Sequence, residues 1–241
     1  MPTSKASGKG FIKSVLVSVL DREKEIRFID FGVGRGTYSN LLRNEFPESK
    51  WTAVEAYEPY IERFGLKEKY DEIIIDDMLD IDIDVGPLSF DVGFLGDVLE
   101  HCTKSEAIAF LGKLGCSIPL IVVSLPLGYR PQGMVHGNPY ETHKKDNWIH
   151  AEALLAFDSC VLSYVEEETG IYFLSSGGPV LKDLTRSAIE VHQALAGAGI
   201  LELTTKNLPN RLFRFIVGKL LYISYRVARY GRKEWRKVFG G

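Results

Sequence analysis

The stretch Ile26-Arg27-Phe28-Ile29-Asp30-Phe31-Gly32-Val33-Gly34-Arg35-Gly36-Thr37-Tyr38 decides the fold. A short apolar run typical of a β-strand leads into three glycines at alternate positions, and an amphipathic helix is predicted for residues 37–46. Glycines between a strand and a helix leave the N–H groups at the helix start uncovered by side chains. The stretch therefore predicts either a ligand-binding βα turn or a glycine-rich turn without a ligand.

The spacing of the glycines narrows the choice of ligand. A dinucleotide fingerprint is G-x-G-x-x-G, whereas here the pattern is G-x-G-x-G and Thr37 stands where the third glycine would fall. This spacing speaks against a nicotinamide or flavin cofactor. A Walker A loop is excluded at this turn, because no Gly-Lys-Ser/Thr follows the glycines.

Strand-like and helix-like segments alternate outward from this stretch. The predicted strands are residues 26–31, 50–56, 72–76, 90–95, 118–124, 161–166 and 171–175, and the predicted helices are residues 11–22, 37–46, 58–66, 103–115 and 150–157. Such alternation implies βαβ crossovers. We therefore predict an α/β fold with a Rossmann-like, doubly wound, mainly parallel seven-stranded sheet, closed by an antiparallel hairpin.

Composition gives the domain organisation and the compartment. The 241 residues are 45% hydrophobic and allow one large domain. We predict a flexible N-terminus at residues 1–10, a ligand-binding domain at residues 11–176 with a long polar loop at 126–150, and a helical extension at residues 177–241. The predicted first helix is interrupted by Lys13 and is interpreted as part of the domain, not as a signal peptide. Three widely spaced cysteines favour reduced thiols in the cytoplasm.

Polar side chains follow several of the predicted parallel strands. Glu55 ends the second strand, Asp76 and Asp77 follow the third, and Asp97 begins the run Asp97-Val98-Leu99-Glu100-His101 after the fourth. Ligands in open α/β sheets bind beyond the carboxyl ends of the strands. Four acidic positions in register with a glycine turn predict a nucleoside-type ligand.

In this order and spacing, residues 30–36, Glu55, Asp77 and residues 97–101 resemble the class I S-adenosylmethionine-dependent methyltransferases over residues 10–175. The resemblance implies S-adenosylmethionine as cofactor and a set of residues that bind it, namely Asp30, Gly32, Gly34, Gly36, Glu55, Asp77, Met78, Gly96 and Asp97. In the family's scheme the glycines and Asp30 lie near the methionine part, Glu55 holds the ribose hydroxyls, and Asp77 and Met78 flank the adenine. Gly96 and Asp97 lie beside the transferring methyl. Asp76 is an alternative to Asp77.

The loop after the fifth strand contains Gly-Asn-Pro-Tyr-Glu-Thr-His (residues 137–143) followed by Trp148. It resembles a loop of a bacterial and phage subgroup of these methyltransferases and implies an acceptor site there. His143, His101 and Glu141 are the candidate catalytic residues, with His143 as general base because imidazole titrates near neutral pH. Each of the three has a structural alternative, in which it only ties the loop or turn together. Their ligand types also suit a metal ion, but the family's metal-dependent acidic cluster has no counterpart, and no metal is predicted.

The C-terminal segment is strongly basic. Residues 206–241 carry ten Lys or Arg and one acid, a net charge of +9 in a chain of net charge −3. At 100° per residue, the basic side chains of residues 211–238 fall within an arc of roughly 140°. This amphipathic helix packs on the domain, contacts an anionic membrane or binds a nucleic acid backbone. Of the three, nucleic acid is the least favoured.

We therefore predict a methyltransferase of EC class 2.1.1 that methylates an oxygen of a small-molecule, glycan or lipid-linked acceptor. It is expected in the cytoplasm, with peripheral contact at the inner membrane face through residues 211–238. A non-catalytic S-adenosylmethionine-binding module and a NAD(P)-dependent oxidoreductase are the alternatives. The sequence indicates no oligomeric state.

Overall fold

The computed structural model describes residues 6–81, 90–144 and 146–175. They form one mixed sheet of seven strands in the order β3-β2-β1-β4-β5-β7-β6. Strands β1 to β5 are parallel, and β7 is antiparallel to both β5 and β6. The predicted doubly wound sheet with a closing hairpin is confirmed. The predicted helical extension at residues 177–241 lies outside the described residues.

The strands are β1 (Arg27–Phe31), β2 (Lys50–Val54), β3 (Glu72–Ile74), β4 (Val92–Gly96), β5 (Leu120–Pro126), β6 (Cys160–Glu166) and β7 (Thr169–Ser175). The helices are α1 (Lys9–Val19), α2 (Thr37–Leu42), α3 (Pro59–Arg63), α4 (Lys104–Gly115) and α5 (His150–Ala156). Short 3-10 turns occupy Leu66–Glu68, Leu99–His101 and Pro139–Glu141.

Alternate side chains of the central strands form the two faces of the core. On one face Phe28 stacks on Trp51 with ring centroids 4.3 Å apart, and Tyr38 of α2 stacks on Phe94 at 4.6 Å. On the other face Phe31 meets Phe110 of α4 edge to face at 5.3 Å. Strands buried on both faces are continuous apolar runs, because crossover helices cover each side of a parallel sheet.

The N-terminal segment corrects one boundary of the sequence analysis. Helix α1 begins at Lys9, and Lys9 is only 7% exposed, so the flexible terminus predicted for residues 1–10 is wrong for Lys9 and Gly10. The Lys9 ammonium donates hydrogen bonds to Tyr38 and to Ser124 of β5, each at 3.0 Å. A Gly-Lys-Gly sequence is typical of a loop, and long-range partners such as these bring it into the fold.

The hairpin between β6 and β7 turns at Glu167 and Glu168, which both have positive φ (49° and 66°). A two-residue turn with positive φ at both positions has a twist that matches the right-handed twist of the flanking strands. Asn-Gly is the usual sequence for such a turn. In the part of the chain that the structure describes, no helix is both long and apolar enough to cross a bilayer.

Candidate active site

A cleft of about 890 Å³ opens at the carboxyl ends of β1, β2 and β4 and lies beneath the loop that follows β5. It contains eight of the nine predicted cofactor-binding residues, namely Asp30, Gly32, Gly34, Glu55, Asp77, Met78, Gly96 and Asp97. The three predicted catalytic residues, His101, Glu141 and His143, line the same cleft. The topology thus brings together residues that are up to 113 positions apart in the sequence.

The glycine turn forms one wall of the cleft. Gly32 has φ +62°, and a Cβ there would lie 2.5 Å from Cγ2 of Val98, so only glycine fits. Gly34 also has positive φ (48°). Gly36 does not line the cleft; with φ +74° it forms the N-cap of α2, and its N–H donates to the carbonyl of Val33 at 2.8 Å. The predicted contact of Gly36 with a cofactor therefore has no support in this geometry.

Glu55 connects the end of β2 to the glycine turn. Its Oε2 accepts the Gly34 N–H at 3.2 Å, and its Oε1 accepts the Tyr57 N–H at 3.0 Å. The side chain is only 5% exposed. Burial raises its pKa to about 7, although the two backbone hydrogen bonds lower the pKa. A carboxylate fixed in this way is suited to accepting hydrogen bonds from vicinal hydroxyls of a ribose.

Asp30 is the buried carboxyl at the end of β1. The hydroxyl of Tyr70 donates to its Oδ2 at 2.6 Å. Burial raises the pKa of Asp30 to about 7, while the Tyr70 hydrogen bond and the Lys9 ammonium lower it. Asp30 therefore needs a cationic or proton-donating partner in addition to Tyr70 and Lys9 in order to ionise fully near neutral pH.

The end of β3 offers two neighbouring acids and a buried methionine. Asp76 Oδ1 accepts the Asp77 N–H at 2.8 Å, and Asp77 Oδ1 accepts the Leu79 N–H at 2.9 Å. Asp76 is exposed and Asp77 half-buried, whereas Met78 is 7% exposed. Both acids line the cleft, so the geometry leaves the choice between them open.

The end of β4 approaches α2 very closely. A Cβ at Gly96 would lie 2.2 Å from Cε2 of Tyr38, and the next residue, Asp97, has φ +53°. Ser124 Oγ donates to Asp97 Oδ1 at 3.1 Å and in turn accepts from Lys9. This chain of contacts fixes Asp97 in the lining of the cleft.

The loop after β5 is tied down at both ends and in its middle. Gly128 N–H donates to the carbonyl of Trp148, which is 1% exposed. Glu141 is 8% exposed; its Oε1 accepts from the hydroxyl of Tyr60 at 3.1 Å, and its Oε2 from the Gln132 amide at 3.2 Å. These bonds give Glu141 the loop-anchoring role that was the structural alternative to catalysis.

His101 and His143 meet edge to face with ring centroids 4.8 Å apart. His143 Nδ1 lies 2.6 Å from the carbonyl oxygen of Arg130, so that nitrogen carries the proton and Nε2 carries the lone pair. Burial lowers the pKa of His143 and lowers that of His101 to about 4. Both rings are therefore neutral at pH 7.

Several contributors were missed by sequence reasoning. Lys9, Tyr38, Tyr60, Tyr70 and Gln132 support the named residues through hydrogen bonds, and Glu100 brings a further buried carboxyl to the two histidines. Glu100 and Gln132 carried a signal, because they lie in the run 97–101 and in the loop 126–150 that the sequence already singles out. The partners of the others are set by tertiary contacts.

No protein-family model and no curated protein matches the sequence. Solved structures do resemble it. The N-terminal domain of EvdMO1 with SAH bound is 14% identical, with 72% of this chain and 83% of that domain covered and a TM-score of 0.52. The fold is that of the class I methyltransferases.

Two further structures share the fold. The bifunctional kinase-methyltransferase WbdD is 13% identical, with 73% of this chain and 40% of WbdD covered and a TM-score of 0.53. A proposed O-methyltransferase from Nostoc punctiforme is 12% identical, with 68% and 56% covered and a TM-score of 0.50. The chain thus spans well under two thirds of the length of these two proteins.

Proposed function

We propose that this chain is an S-adenosylmethionine-dependent methyltransferase. The observation that carries the proposal is that the glycine turn, Glu55, Asp77 and Asp97 line one cleft. They follow the carboxyl ends of β1, β2, β3 and β4, which are neighbours in a sheet of the class I methyltransferase fold. A sulfonium cofactor is cationic, and the buried acid Asp30, whose pKa is raised by burial, suits a positively charged ligand.

The chain's own residues have distinct roles in the proposal. The glycine turn and Asp30 take the methionine part of the cofactor, Glu55 the ribose hydroxyls, and Asp77 with Met78 the adenine. Asp97 and Gly96 line the position of the methyl group. The cofactor already carries an activated methyl, so the protein mainly aligns an acceptor with it and excludes water.

We propose an oxygen of a small-molecule, glycan or lipid-linked compound as the acceptor. When bound, the cofactor would supply its methyl group to that oxygen and become S-adenosylhomocysteine, and the hydroxyl proton would pass to a base in the cleft such as His143. The anchored loop 126–148 supports this acceptor site because it lies over the cleft. We also propose that the chain belongs to the bacterial and phage subgroup, on the basis of the Gly-Asn-Pro-Tyr-Glu-x-His segment in this loop. EvdMO1, which has been crystallised with SAH and D-fucose, supports a sugar-like acceptor.

A hydroxyl is a poor nucleophile until it loses its proton. The lone pair of His143 Nε2 is held in the cleft by the bond between Nδ1 and Arg130, and it is available for that step. It can accept the proton directly, or it can bind an ion that lowers the pKa of the hydroxyl.

Calorimetric titration of the full chain with S-adenosylmethionine and S-adenosylhomocysteine tests the proposal. We expect saturable one-to-one binding. Gly34→Val should weaken it by more than about 100-fold, because the valine side chain would project from the glycine turn into the space proposed for the cofactor. Gly65→Val is the matched control: Gly65 also has positive φ (59°) but does not line the cleft.

Circular dichroism melting of both variants separates a blocked cleft from a lost fold. Binding of NAD(P)H in place of S-adenosylmethionine would favour the oxidoreductase alternative. Absence of binding by either cofactor would refute the methyltransferase and the non-catalytic binding module alike.

A further inference from the structure

Three potential metal ligands converge in the cleft at the end of β4. One ligand atom from each of Glu100, His101 and His143 lies within 4.8 Å of the others. Glu100 and His101 belong to the 3-10 turn Leu99–His101, and His143 reaches them from the loop after β5. The backbone joins the same two elements, because Lys144 N–H donates to the carbonyl of Glu100 at 2.9 Å.

Both histidines are oriented in the way that metal-binding histidines usually are. Such residues donate the second ring N–H to a carbonyl or a carboxylate, which fixes the tautomer and directs the free nitrogen to the ion. His143 does this through Nδ1 and the carbonyl of Arg130. The ring of His101 hydrogen-bonds the backbone of Thr142, and Nδ1 has no partner, so Nε2 makes that bond.

Two atoms of this cluster are buried without a hydrogen-bond partner. They are Oε2 of Glu100, a residue only 8% exposed, and Nδ1 of His101. Leaving a buried polar atom unsatisfied destabilises the fold, and the cost is larger for a charged group. Two such atoms on adjacent residues, both in the lining of one cleft, indicate a missing ligand.

We propose that Glu100, His101 and His143 form a binding site for a divalent transition-metal ion. A set of two imidazoles and one carboxylate is typical of Zn²⁺ and Fe²⁺ sites that keep positions open for water or substrate, whereas Mg²⁺ prefers oxygen ligands. From the sequence alone, Glu141 and the two histidines are the candidate ligand set, and no metal is predicted. The fold brings Glu100 to them instead, and Glu141 is engaged by Tyr60 and Gln132.

The surroundings favour a cation. Besides Glu100, the acids Asp97 and Glu141 line the same cleft, whereas the Lys9 ammonium is the cation that acts on the Glu100 carboxyl. Ligands around a tetrahedral ion with bonds of about 2.0 to 2.1 Å are roughly 3.4 Å apart. The 4.8 Å limit therefore requires a modest inward movement of the side chains when the ion binds.

A role for the ion rests on the proposed function, although the site itself does not. An ion at this point faces the part of the cleft where Gly96 and Asp97 lie. It would lower the pKa of a bound acceptor hydroxyl, and His143 would then act as a ligand and not as the proton acceptor.

Direct metal binding to the untagged, chelator-treated full chain tests the site. We expect one Zn²⁺ per chain by calorimetry, with a Kd of about 10 μM or tighter, and d–d absorption bands when Co²⁺ replaces Zn²⁺. Glu100→Gln and His143→Ala should each weaken Zn²⁺ binding by at least about 100-fold, the upper end of losses from outer-sphere changes. His136→Ala removes an exposed histidine of the same loop outside the cleft and should have no effect.

Thermal melting of each variant shows whether it folds, and Glu100→Gln keeps the size of the side chain. Absence of saturable Zn²⁺ and Co²⁺ binding below about 100 μM, or binding that survives both variants, would overturn the metal site. Titration with S-adenosylhomocysteine in the same samples separates the two proposals. Metal binding without cofactor binding would defeat the proposed function alone, and the reverse would defeat the metal site alone.

Discussion

Asp30 is a carboxyl group of the cleft in an environment that disfavours its ionised form. It is 2% exposed, and the groups that face it are the hydroxyl of Tyr70, the ammonium of Lys9 and the carboxyl of Glu55. Burial and Glu55 raise its pKa, while Tyr70 and Lys9 lower it, and the result is about 7. A buried acid with an incomplete set of partners is typical of a functional site, where stability is given up for ligand binding.

The raised pKa predicts a pH-dependent stability of the ligand-free protein. The folded pKa of Asp30 lies above the unfolded value of 3.8, so its contribution is fully present below about pH 4 and is lost as the pH rises through 7. Between these limits the free energy of unfolding falls by about 1.4 kcal/mol per pH unit for this group.

Asp30→Asn keeps the shape of the side chain and cannot titrate. We therefore expect urea denaturation from pH 5 to 8 to show that the wild type loses free energy of unfolding relative to the variant as the pH rises to about 7. Above that pH the difference should stay constant. Exposed Asp80→Asn is the control and should follow the wild type at every pH. Parallel curves for Asp30→Asn and wild type would contradict the assigned pKa.

At the scale of the elements, the contact between β4 and α2 controls the shape of the cleft. Gly96 ends β4 directly against the ring of Tyr38, which is 2% exposed and hydrogen-bonded to Lys9 of α1. Because all three elements meet at this ring, a larger residue at position 96 cannot be accommodated by moving Tyr38 alone.

Gly96→Ala should therefore destabilise the fold by about 1 to 3 kcal/mol, the usual cost of overpacking a core. Gly112→Ala is the matched control, because Gly112 lies in α4 with open space around its Cβ. There the same substitution should stabilise the protein by up to about 1 kcal/mol through helix propensity. Urea denaturation measures both.

The mechanism of the Gly96 effect can be tested by a double-mutant cycle with Tyr38→Leu. Since the clash is with the aromatic ring, the two substitutions together should cost clearly less than the sum of each alone. Additive effects would show that Tyr38 is not the residue that excludes a side chain at position 96.

The elements themselves were predictable wherever one local pattern determines them. The three glycines predict where β1 ends and α2 begins. The Thr103–Glu106 capping box explains why α4 begins at Lys104. The start of α1 at Lys9 was not predictable, because it depends on Tyr38 and Ser124, which are remote in sequence. Strand ends also differ by one or two residues, since pairing with neighbours determines where a ladder stops.

For the whole molecule, the order of the strands decides which residues share a site. The alternation of segments predicted a doubly wound sheet, but the order β3-β2-β1-β4-β5-β7-β6 is a matter of non-local pairing. That order brings Glu55, Asp30 and Asp97 side by side and places the loop after β5 over them. Eleven of the twelve site residues predicted from the sequence line this cleft. The hydrogen bonds from Tyr60 and Gln132 to Glu141 were not predictable, because their partners are remote in sequence or set by the fold of the loop.

The charge distribution of the full chain predicts how it behaves at a membrane. Residues 206–241 carry a net charge of +9, and the rest of the chain carries −12, so attraction to an anionic surface would be confined to the C-terminal segment. Each basic residue near such a surface contributes about 1 kcal/mol. Removing four charges from the basic arc should then lower the affinity by two to three orders of magnitude, provided that membrane contact is the role of this segment.

We propose that it is, and co-sedimentation with anionic vesicles is the test. The full chain should sediment with vesicles that contain phosphatidylserine and remain in solution with neutral ones. A variant with Arg226, Arg229, Arg232 and Arg236 changed to Gln should stay in the supernatant. The matched control changes the same number of exposed basic residues on the domain, Lys24, Lys50, Arg63 and Lys67, and should sediment like the wild type. Equal sedimentation of both variants would favour packing on the domain. In that case the apolar side of the helix is covered by protein, and its basic side faces solvent without binding a membrane.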